Sequence, residues 1–407
     1  MLSESTSSVQ PALSQVPSAL TNEIQGHQFA LETLQKAFDR KRLHHAYLFH
    51  GPEGIGKFRV ATVLARLLLC ASPLKESNPD QSQDVALNIQ HACGQCKSCL
   101  RVKPLINKSE GAYHPDLHYI TRERDSSGKL AKEIKIAPIR ELQSSLSLGS
   151  FEGGRVIVII EDVDRLGLSA ANALLKTLEE PLENVHFLLT TSSLNAVLPT
   201  IKSRAQSLRF APLDLKTMQD LLLKVERTQS QNDVEQKDGG EVLSFSPLDE
   251  GQRISLAQLS GGSIGRALDL WSQGGMLKVE NLIQSSDLSG GPQDILNALA
   301  FAKSLESAEE AELKQWIHIL RCWYRDALVL MHNPQASELF FPRLTEFSYK
   351  RAQVLGLDRL LWRLAALDEC ENHLFRRIGS NRKLIIETLC LYLAGLDTLT
   401  QKALKLS

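Results

Sequence analysis

The sequence is poor in aromatic residues and carries almost no net charge. Only 6% of its 407 residues are Phe, Trp or Tyr, and 46 Lys and Arg face 47 Asp and Glu. A near-neutral chain generates no global field that would draw it onto nucleic acid or a membrane surface, so any DNA contact must be local or shared with other chains. It has no apolar run of about 18 residues, the length a transmembrane helix needs, so no membrane partner is expected. Residues 1–22 lack a charged segment followed by an apolar one, which argues against a secretory signal. Their Ser, Pro and Gln content predicts a disordered tail. Cysteine is scarce as well, with seven in all, and three of these fall within seven residues. In a chain without an export signal, such clustering points to a metal rather than to disulfides, and to a cytoplasmic location. At this length a single core is not expected, and two or three domains are.

One further absence is a single hydroxyl. Leu48-Phe49-His50-Gly51-Pro52-Glu53-Gly54-Ile55-Gly56-Lys57-Phe58 matches the phosphate-binding pattern G-x-x-x-x-G-K-[ST] at every fixed position except the last. Glycines such as Gly51, Gly54 and Gly56 let backbone N–H groups converge on phosphate oxygens, and Lys57 would reach the outer phosphates. The next residue should give Mg²⁺ a hydroxyl ligand, and Phe58 has none. The loop therefore reads as an NTPase cradle without its metal step.

Around this loop the periodicity alternates between strand and helix. Residues 28–42 show helical spacing, 46–49 read as a buried strand, and 58–70 carry Val60, Val63, Leu64, Leu67 and Leu68 on one helical face. Further strands are expected at 116–120, 155–160, 186–190 and 207–210. Helices are expected at 136–148 and from Ser169, read as the N-cap, to a stop before Pro181. Strand, glycine loop and helix in succession indicate a parallel α/β sheet. The apolar run Val156-Ile157-Val158-Ile159-Ile160 ends in Glu161 and Asp162, which places carboxylates at the ligand-facing edge of such a sheet. In an ATPase such acids hold Mg²⁺ and orient water. The Glu-Asp order, reversed from the usual Asp-Glu, further weakens a hydrolytic role.

Residues 71–91 read as a surface loop. Cys93-Gly94-Gln95-Cys96-Lys97-Ser98-Cys99 then spaces three thiols as C-x2-C-x2-C, a turn that wraps a small ion. Cys70 is the chosen fourth ligand and His91 the reserve. A ferredoxin pattern would place a further cysteine before Pro104, where Lys103 stands, so zinc is favoured over an iron–sulfur cluster. No water-activating carboxylate lies beside the thiols, and the site reads as structural.

Beyond Pro212 a small helical domain is expected over 213–280, interrupted by a mobile polar insertion at about 228–251. From 281 to 407 the pattern is all helical, with apolar stripes at Leu313, Trp316, Ile317, Leu320, Trp323, Tyr324 and Leu328, and at Leu357, Leu360, Leu361, Leu364 and Leu367. These read as helix-packing core or as contacts with other subunits, and Cys322, Cys370 and Cys390 as buried apolar residues.

Four segments together resemble a bacterial clamp-loader subunit of the AAA+ class. They are His45 through Lys57, the cysteine cluster, Ala170-Ala171-Asn172-Ala173-Leu174-Leu175-Lys176-Thr177-Leu178-Glu179-Glu180-Pro181, and Pro199-Thr200-Ile201-Lys202-Ser203-Arg204. The likeness covers about residues 22–280. It extends loosely through Trp323-Tyr324-Arg325-Asp326 and Asn381-Arg382-Lys383-Leu384. It implies an AAA+ α/β domain over 23–212 with an inserted zinc module at about 70–104, a helical lid, and an all-α collar that assembles with other subunits. It also implies structural zinc on Cys70, Cys93, Cys96 and Cys99, and Arg266 in the place of the lid's second-sensor arginine. Arg204 falls at the family's Ser-Arg-Cys motif, with Ala205 as third residue, whose arginine reaches the ATP of a neighbouring subunit. Within the family, Lys57-Phe58 and Glu161-Asp162 favour a non-motor subunit with little or no ATPase of its own over the gamma/tau motor. The partners implied are gamma/tau and delta subunits and, through them, the sliding clamp and primer-template DNA. A zinc-bearing scaffold or nucleic-acid-binding protein outside replication is the alternative of another class, and the lack of a basic, aromatic-interleaved patch argues against it.

Overall fold

Short runs of β-branched and aromatic residues make the sheet, and amphipathic segments between them make the helices that cover it. The computed structural model describes residues 24–76, 89–106, 113–124, 130–235, 247–272, 275–286, 292–306, 308, 310–336, 338–375 and 381–394. The N-terminal tail expected at 1–22 lies outside the described residues. The chain divides into two compact units, Met1–Thr217 and Met218–Ser407.

In the first unit the order is α1 (Gln28–Asp39), β1 (Ala46–His50), α2 (Lys57–Leu69), β2 (Leu74–Glu76), β3 (Ile89–His91), α3 (Lys97–Ile106), β4 (Leu117–Ile120), α4 (Ile136–Ser147), β5 (Val156–Ile160), α5 (Leu168–Glu179), β6 (Val185–Thr191), α6 (Pro199–Lys202) and β7 (Gln206–Arg209). Five strands form one parallel sheet in the order β4-β5-β6-β1-β7. Successive side chains of a strand point to opposite faces. Tyr47, Phe49, Ile157 and Ile159 accordingly pack on one face with Leu31, Leu34, Val60 and Leu64 of α1 and α2. Leu48, Val156, Val158, Ile160, Phe187 and Leu189 pack on the other with Ile139, Leu142, Leu174 and Leu178 of α4 and α5. Burial on both faces explains why β5 is an unbroken apolar run rather than an alternating one.

Two local expectations are corrected, and the cysteine run gains a helix. The segment read as a loop over 71–91 has paired ends, since β2 and β3 are antiparallel with Leu74 opposite His91. The cysteine run continues directly into α3, whose Val102 and Leu105 are fully buried in the cluster containing α2. The N-cap of α5 is Gly167, and Ser169 lies one residue inside the helix.

The second unit is helical among its described residues. It contains α7 (Leu215–Glu235, which begins in the first unit), α8 (Glu250–Leu259), α9 (Ile264–Ser272), α10 (Gly275–Ser286), α11 (Pro292–Glu306), α12 (Glu310–His332), α13 (Thr345–Phe375) and α14 (Arg382–Leu393). The polar stretch expected to be a loop from about 228 belongs to α7 as far as Glu235, and α8 already starts at Glu250. Asp249 caps α8 in a reciprocal capping box with Gln252. The stripe on α12 is core from Leu313 to Tyr324, with Leu328 partly buried and Trp323 donating to Ser348 Oγ at 2.9 Å. The stripe on α13 is divided. Leu360 and Leu367 are buried with Arg363 and Cys370 along one face of the helix, whereas Leu357 and Leu361 are about half exposed on its flank. Cys322, Cys370 and Cys390 are buried, as expected.

Candidate functional site

The C-terminal ends of β5, β6 and β1 lie side by side in the sheet, and the glycine loop leaves β1 at this edge. Gly51 is at φ 151°, and a Cβ there would sit 2.2 Å from the carbonyl oxygen of Phe210, so only glycine lets the loop pass the end of β7. Gly54 and Gly56 also have positive φ, and α2 begins at Lys57. The loop therefore has the backbone form that would point a helix N-terminus at an anion.

Its side chains are turned inward. Lys57 is 9% exposed, and its Nζ donates to the carbonyls of Gly51 at 2.7 Å and Pro52 at 2.6 Å. Burial lowers its pKa, opposed by the negative charges of Asp162 and Glu53. His27 Nε2 meets the Ile55 carbonyl at 2.6 Å, and its ring packs edge-on against Phe210. Burial lowers the His27 pKa, its bond to Ile55 opposes that, and Lys57 lowers it further.

Phe58 occupies the position a metal-ligating hydroxyl would take, and its ring lies 5.4 Å from that of Tyr119 on β4. The Tyr119 hydroxyl donates to Glu161 Oε2 at 2.7 Å, and burial, followed by the charge of Glu161, raises its pKa. Arg122 binds Asp162 Oδ2 through Nη2 at 2.9 Å and Nε at 3.2 Å. Asp162 itself has left-handed backbone at φ 57°, and burial raises its carboxyl pKa against the pull of Arg122. The Thr191 hydroxyl donates to Asp164 Oδ1 at 2.5 Å. Gly51, Gly54, Gly56, Lys57, Glu161 and Asp162 thus share one edge, but the cation and both acids are already paired within the chain.

Two arginines also belong to the expected site. Arg204 follows α6 and is one-third exposed; its Nη2 is 2.6 Å from Glu179 Oε1, and its Nη1 donates to the Thr200 carbonyl at 3.0 Å. Arg266 is exposed on α9 of the second unit, where its backbone N–H donates to Ser263 Oγ.

The four cysteines converge. The Sγ atoms of Cys70, Cys93, Cys96 and Cys99 lie within 4.8 Å of one another, with 3.9 Å from Cys70 to Cys96 and 4.0 Å from Cys93 to Cys99. A tetrahedral ion with metal–sulfur bonds of about 2.3 Å needs sulfurs about 3.8 Å apart, so the set fits zinc in number, chemistry and spacing. Backbone N–H groups of Cys93, Cys96 and Cys99 donate to the sulfurs of Cys70, Cys93 and Cys96 at 3.2–3.4 Å, the orientation that supports thiolates. Gly94 supplies the turn at φ 72°. His91, the reserve ligand, is not a member of the group.

Tyr119, Arg122, His27 and Glu179 were not legible as site residues. Tyr119 and Arg122 depend on β4 lying beside β5, which brings residues about 40 positions apart into contact.

Comparison with known proteins finds relatives of both units of the chain. The family model described as DNA polymerase III, delta subunit matches residues 26–214, and the one described as its C-terminal part matches 277–394. The chain is 33% identical to DNA polymerase III subunit delta' of Bacillus subtilis over 203 residues, which is 50% of this chain and 52% of that protein. It is 34% identical to the delta' subunit of Pseudomonas aeruginosa over 160 residues, 39% of this chain and 41% of that one. A gamma/tau subunit of Mycobacterium tuberculosis is 30% identical over 203 residues, 50% of this chain and 30% of that protein. The chain thus spans about half the length, or less, of these relatives. Among solved structures, a gamma subunit-related protein of Thermotoga maritima superposes with a TM-score of 0.39 at 18% identity, covering 89% of this chain and 98% of that one. With the parallel sheet, the helical C-terminal unit and both family models in agreement, the chain belongs to the DNA polymerase III delta-prime family of clamp-loader subunits.

Proposed function

We propose that this protein is the non-motor delta-prime subunit of a DNA polymerase III clamp loader. It completes the ring of loader subunits and lends Arg204 in trans to the ATP of a neighbouring gamma/tau subunit. Assembly with gamma/tau and delta brings it indirectly to the sliding clamp and primer-template DNA. Cys70, Cys93, Cys96 and Cys99 hold a structural zinc ion. In this reading α7 to α9 form the lid and the helices beyond 281 the collar, with Arg266 as the lid arginine.

The observation that carries the reading is the state of the chain's own phosphate loop. At the sequence position of the hydroxyl ligand stands Phe58, whose ring packs on Tyr119, and Tyr119 holds Glu161. To act as a base or metal ligand, Glu161 would have to break a part-buried hydrogen bond, and Asp162 an ion pair with Arg122. Identity alone does not separate this chain from gamma/tau, since relatives of both kinds align over about 200 residues. Phe58 favours the non-motor reading, because a motor needs the hydroxyl that it lacks. A guanidinium supplied across an interface offsets charge developing on the transferred phosphate, an effect worth about 10³–10⁵ in rate where such fingers act.

The test is a loader reconstituted with Arg204→Ala. Assembly should be intact by gel filtration, while turnover at the abutting site is lost and total ATPase falls to what the remaining sites supply. Unchanged ATPase would remove the finger role, and Mg²⁺-dependent hydrolysis by the isolated chain would favour the motor reading.

A further inference from the structure

Arg204 does not extend freely from its helix. Its Nη2 is 2.6 Å from Glu179 Oε1 at the end of α5, and its Nη1 donates to the Thr200 carbonyl at 3.0 Å and to Ser203 Oγ at 3.2 Å. Both terminal nitrogens are therefore directed at the chain's own α5 and α6. The ends of these helices are brought together by packing: Leu174 and Leu178 of α5 and Ile201 of α6 are buried in one apolar cluster with Ala205. Glu179 is the last residue of its helix and about half exposed, so it meets the guanidinium at the surface, where an incoming anion can reach the same group.

We propose that Glu179 is a positioning residue that holds Arg204 folded back on its own subunit, to be displaced by the triphosphate of a neighbour. The proposal rests on the finger reading of Arg204 and adds a counter-ion to it. The two anions compete for one guanidinium. A single carboxylate offers the guanidinium one negative charge, and the outer phosphates of a nucleoside triphosphate offer more charge and more acceptor oxygens in the same planar fork geometry. The exchange therefore runs toward the triphosphate when one is present and back toward Glu179 when it is absent or has lost its outer phosphate. The finger would be withheld from weaker anions, and an unassembled subunit would not present a bare guanidinium. The Thr200 carbonyl is an acceptor that no change of ligand removes. It anchors Nη1, so the swing is confined to the Nη2 side of the fork.

Exposed ion pairs are weak, so a small effect is expected: removing the counter-ion should shift the exchange by about two- to five-fold. Two measurements separate this proposal from the reading beneath it. On the isolated chain, the rate of Arg204 modification by phenylglyoxal is followed by peptide mass spectrometry. Glu179→Gln should speed it by about two- to five-fold, with Arg209 as internal control; an unchanged rate would overturn the latch whatever the loader does. In the reconstituted loader, Glu179→Gln should lower half-saturating ATP by a similar factor, more than it changes the saturated rate. The shift should vanish in the Arg204→Ala background. A shift that persists there would mean that Glu179 acts elsewhere. A fall in the saturated rate as large as that of Arg204→Ala would mean that Glu179 presents the finger rather than withholding it. If Arg204→Ala alone leaves ATPase unchanged, the finger reading fails, and the modification experiment still decides whether the contact restrains the side chain.

Discussion

Replacing Cys96 by serine keeps the size of the turn and removes one thiolate from the group of four. The ligands come from different places: Cys70 ends α2, Cys93 and Cys96 form the turn, and Cys99 lies in the first turn of α3. A bound ion therefore joins the end of one helix to the start of another across an intervening segment. Without it, α3 must hold by apolar contact, for which the structure offers chiefly Val102 and Leu105. Burial of two such side chains supplies about 3–6 kcal/mol. Ordering a segment of 10 residues costs about 10–20 kcal/mol of backbone entropy. At that length, below the roughly 12–15 residues an isolated helix needs, propensity does not close the gap. Structural zinc contributes about 10–16 kcal/mol in peptide hosts, which does close it. The sheet has its own two apolar clusters and should not depend on the ion.

The assay is metal analysis of the purified chain combined with hydrogen exchange read by mass spectrometry. Wild type should hold about one zinc ion per chain, as a closed four-cysteine site requires. Cys96→Ser should lose most of it and lose protection over 93–106, while peptides from β5 keep theirs. Iron or no metal in the wild-type protein would refute the reasoning, and so would full protection of α3 in a metal-free Cys96→Ser chain.

Further outcomes follow from the loop and from the part-buried histidines. Gly51→Ala would place a Cβ 2.2 Å from the Phe210 carbonyl oxygen in a backbone region that suits glycine. It should destabilise the first unit by about 1–3 kcal/mol, read as a lower urea midpoint; an unchanged midpoint would mean that the loop does not approach β7 so closely. Burial lowers the pKa values of His27, His186 and His318, so the unfolded chain binds protons more readily than the folded one. Their contribution to stability is present above about pH 6.5 and is lost as pH falls from there through the depressed folded values. Urea midpoints should therefore drop between pH 7.5 and 5.5, and His186→Asn should flatten that dependence; an identical slope in the variant would exclude His186 as a contributor. Phe58→Thr restores the missing hydroxyl but leaves Tyr119 on Glu161 and Arg122 on Asp162. Alone it should yield no Mg²⁺-dependent ATPase above background, and substantial turnover would show that these internal pairs do not close the site.

What could be read from the sequence divides along a physical line. Local patterns report elements whose identity is set within a few residues. The apolar run before Glu161 was legible as a doubly buried strand, the glycine spacing as a tight loop between a strand and a helix, and the cysteine spacing as a turn that gathers thiols. Long-range pairing leaves no such trace. Nothing near Tyr119 announces that its hydroxyl holds Glu161, because the contact exists only once β4 lies beside β5. Nor does anything near Glu179 single it out as the partner of Arg204 rather than a solvated residue at a helix end. The errors have the same origin. Leu357 and Leu361 have the spacing of an apolar stripe, but the face that is buried runs through Leu360, Arg363, Leu367 and Cys370, and which face packs is set by what the helix meets in the fold. Ser169 is a better capping residue than glycine by intrinsic preference, yet Gly167 takes the position. There a Cβ would meet the carboxylate of Glu133 at 3.1–3.3 Å, and the Gly167 N–H donates to the Ile134 carbonyl. Tertiary contact between the segment before α4 and the start of α5 thus sets the helix boundary, and it outweighs the fraction of a kcal/mol that separates a serine cap from a glycine one.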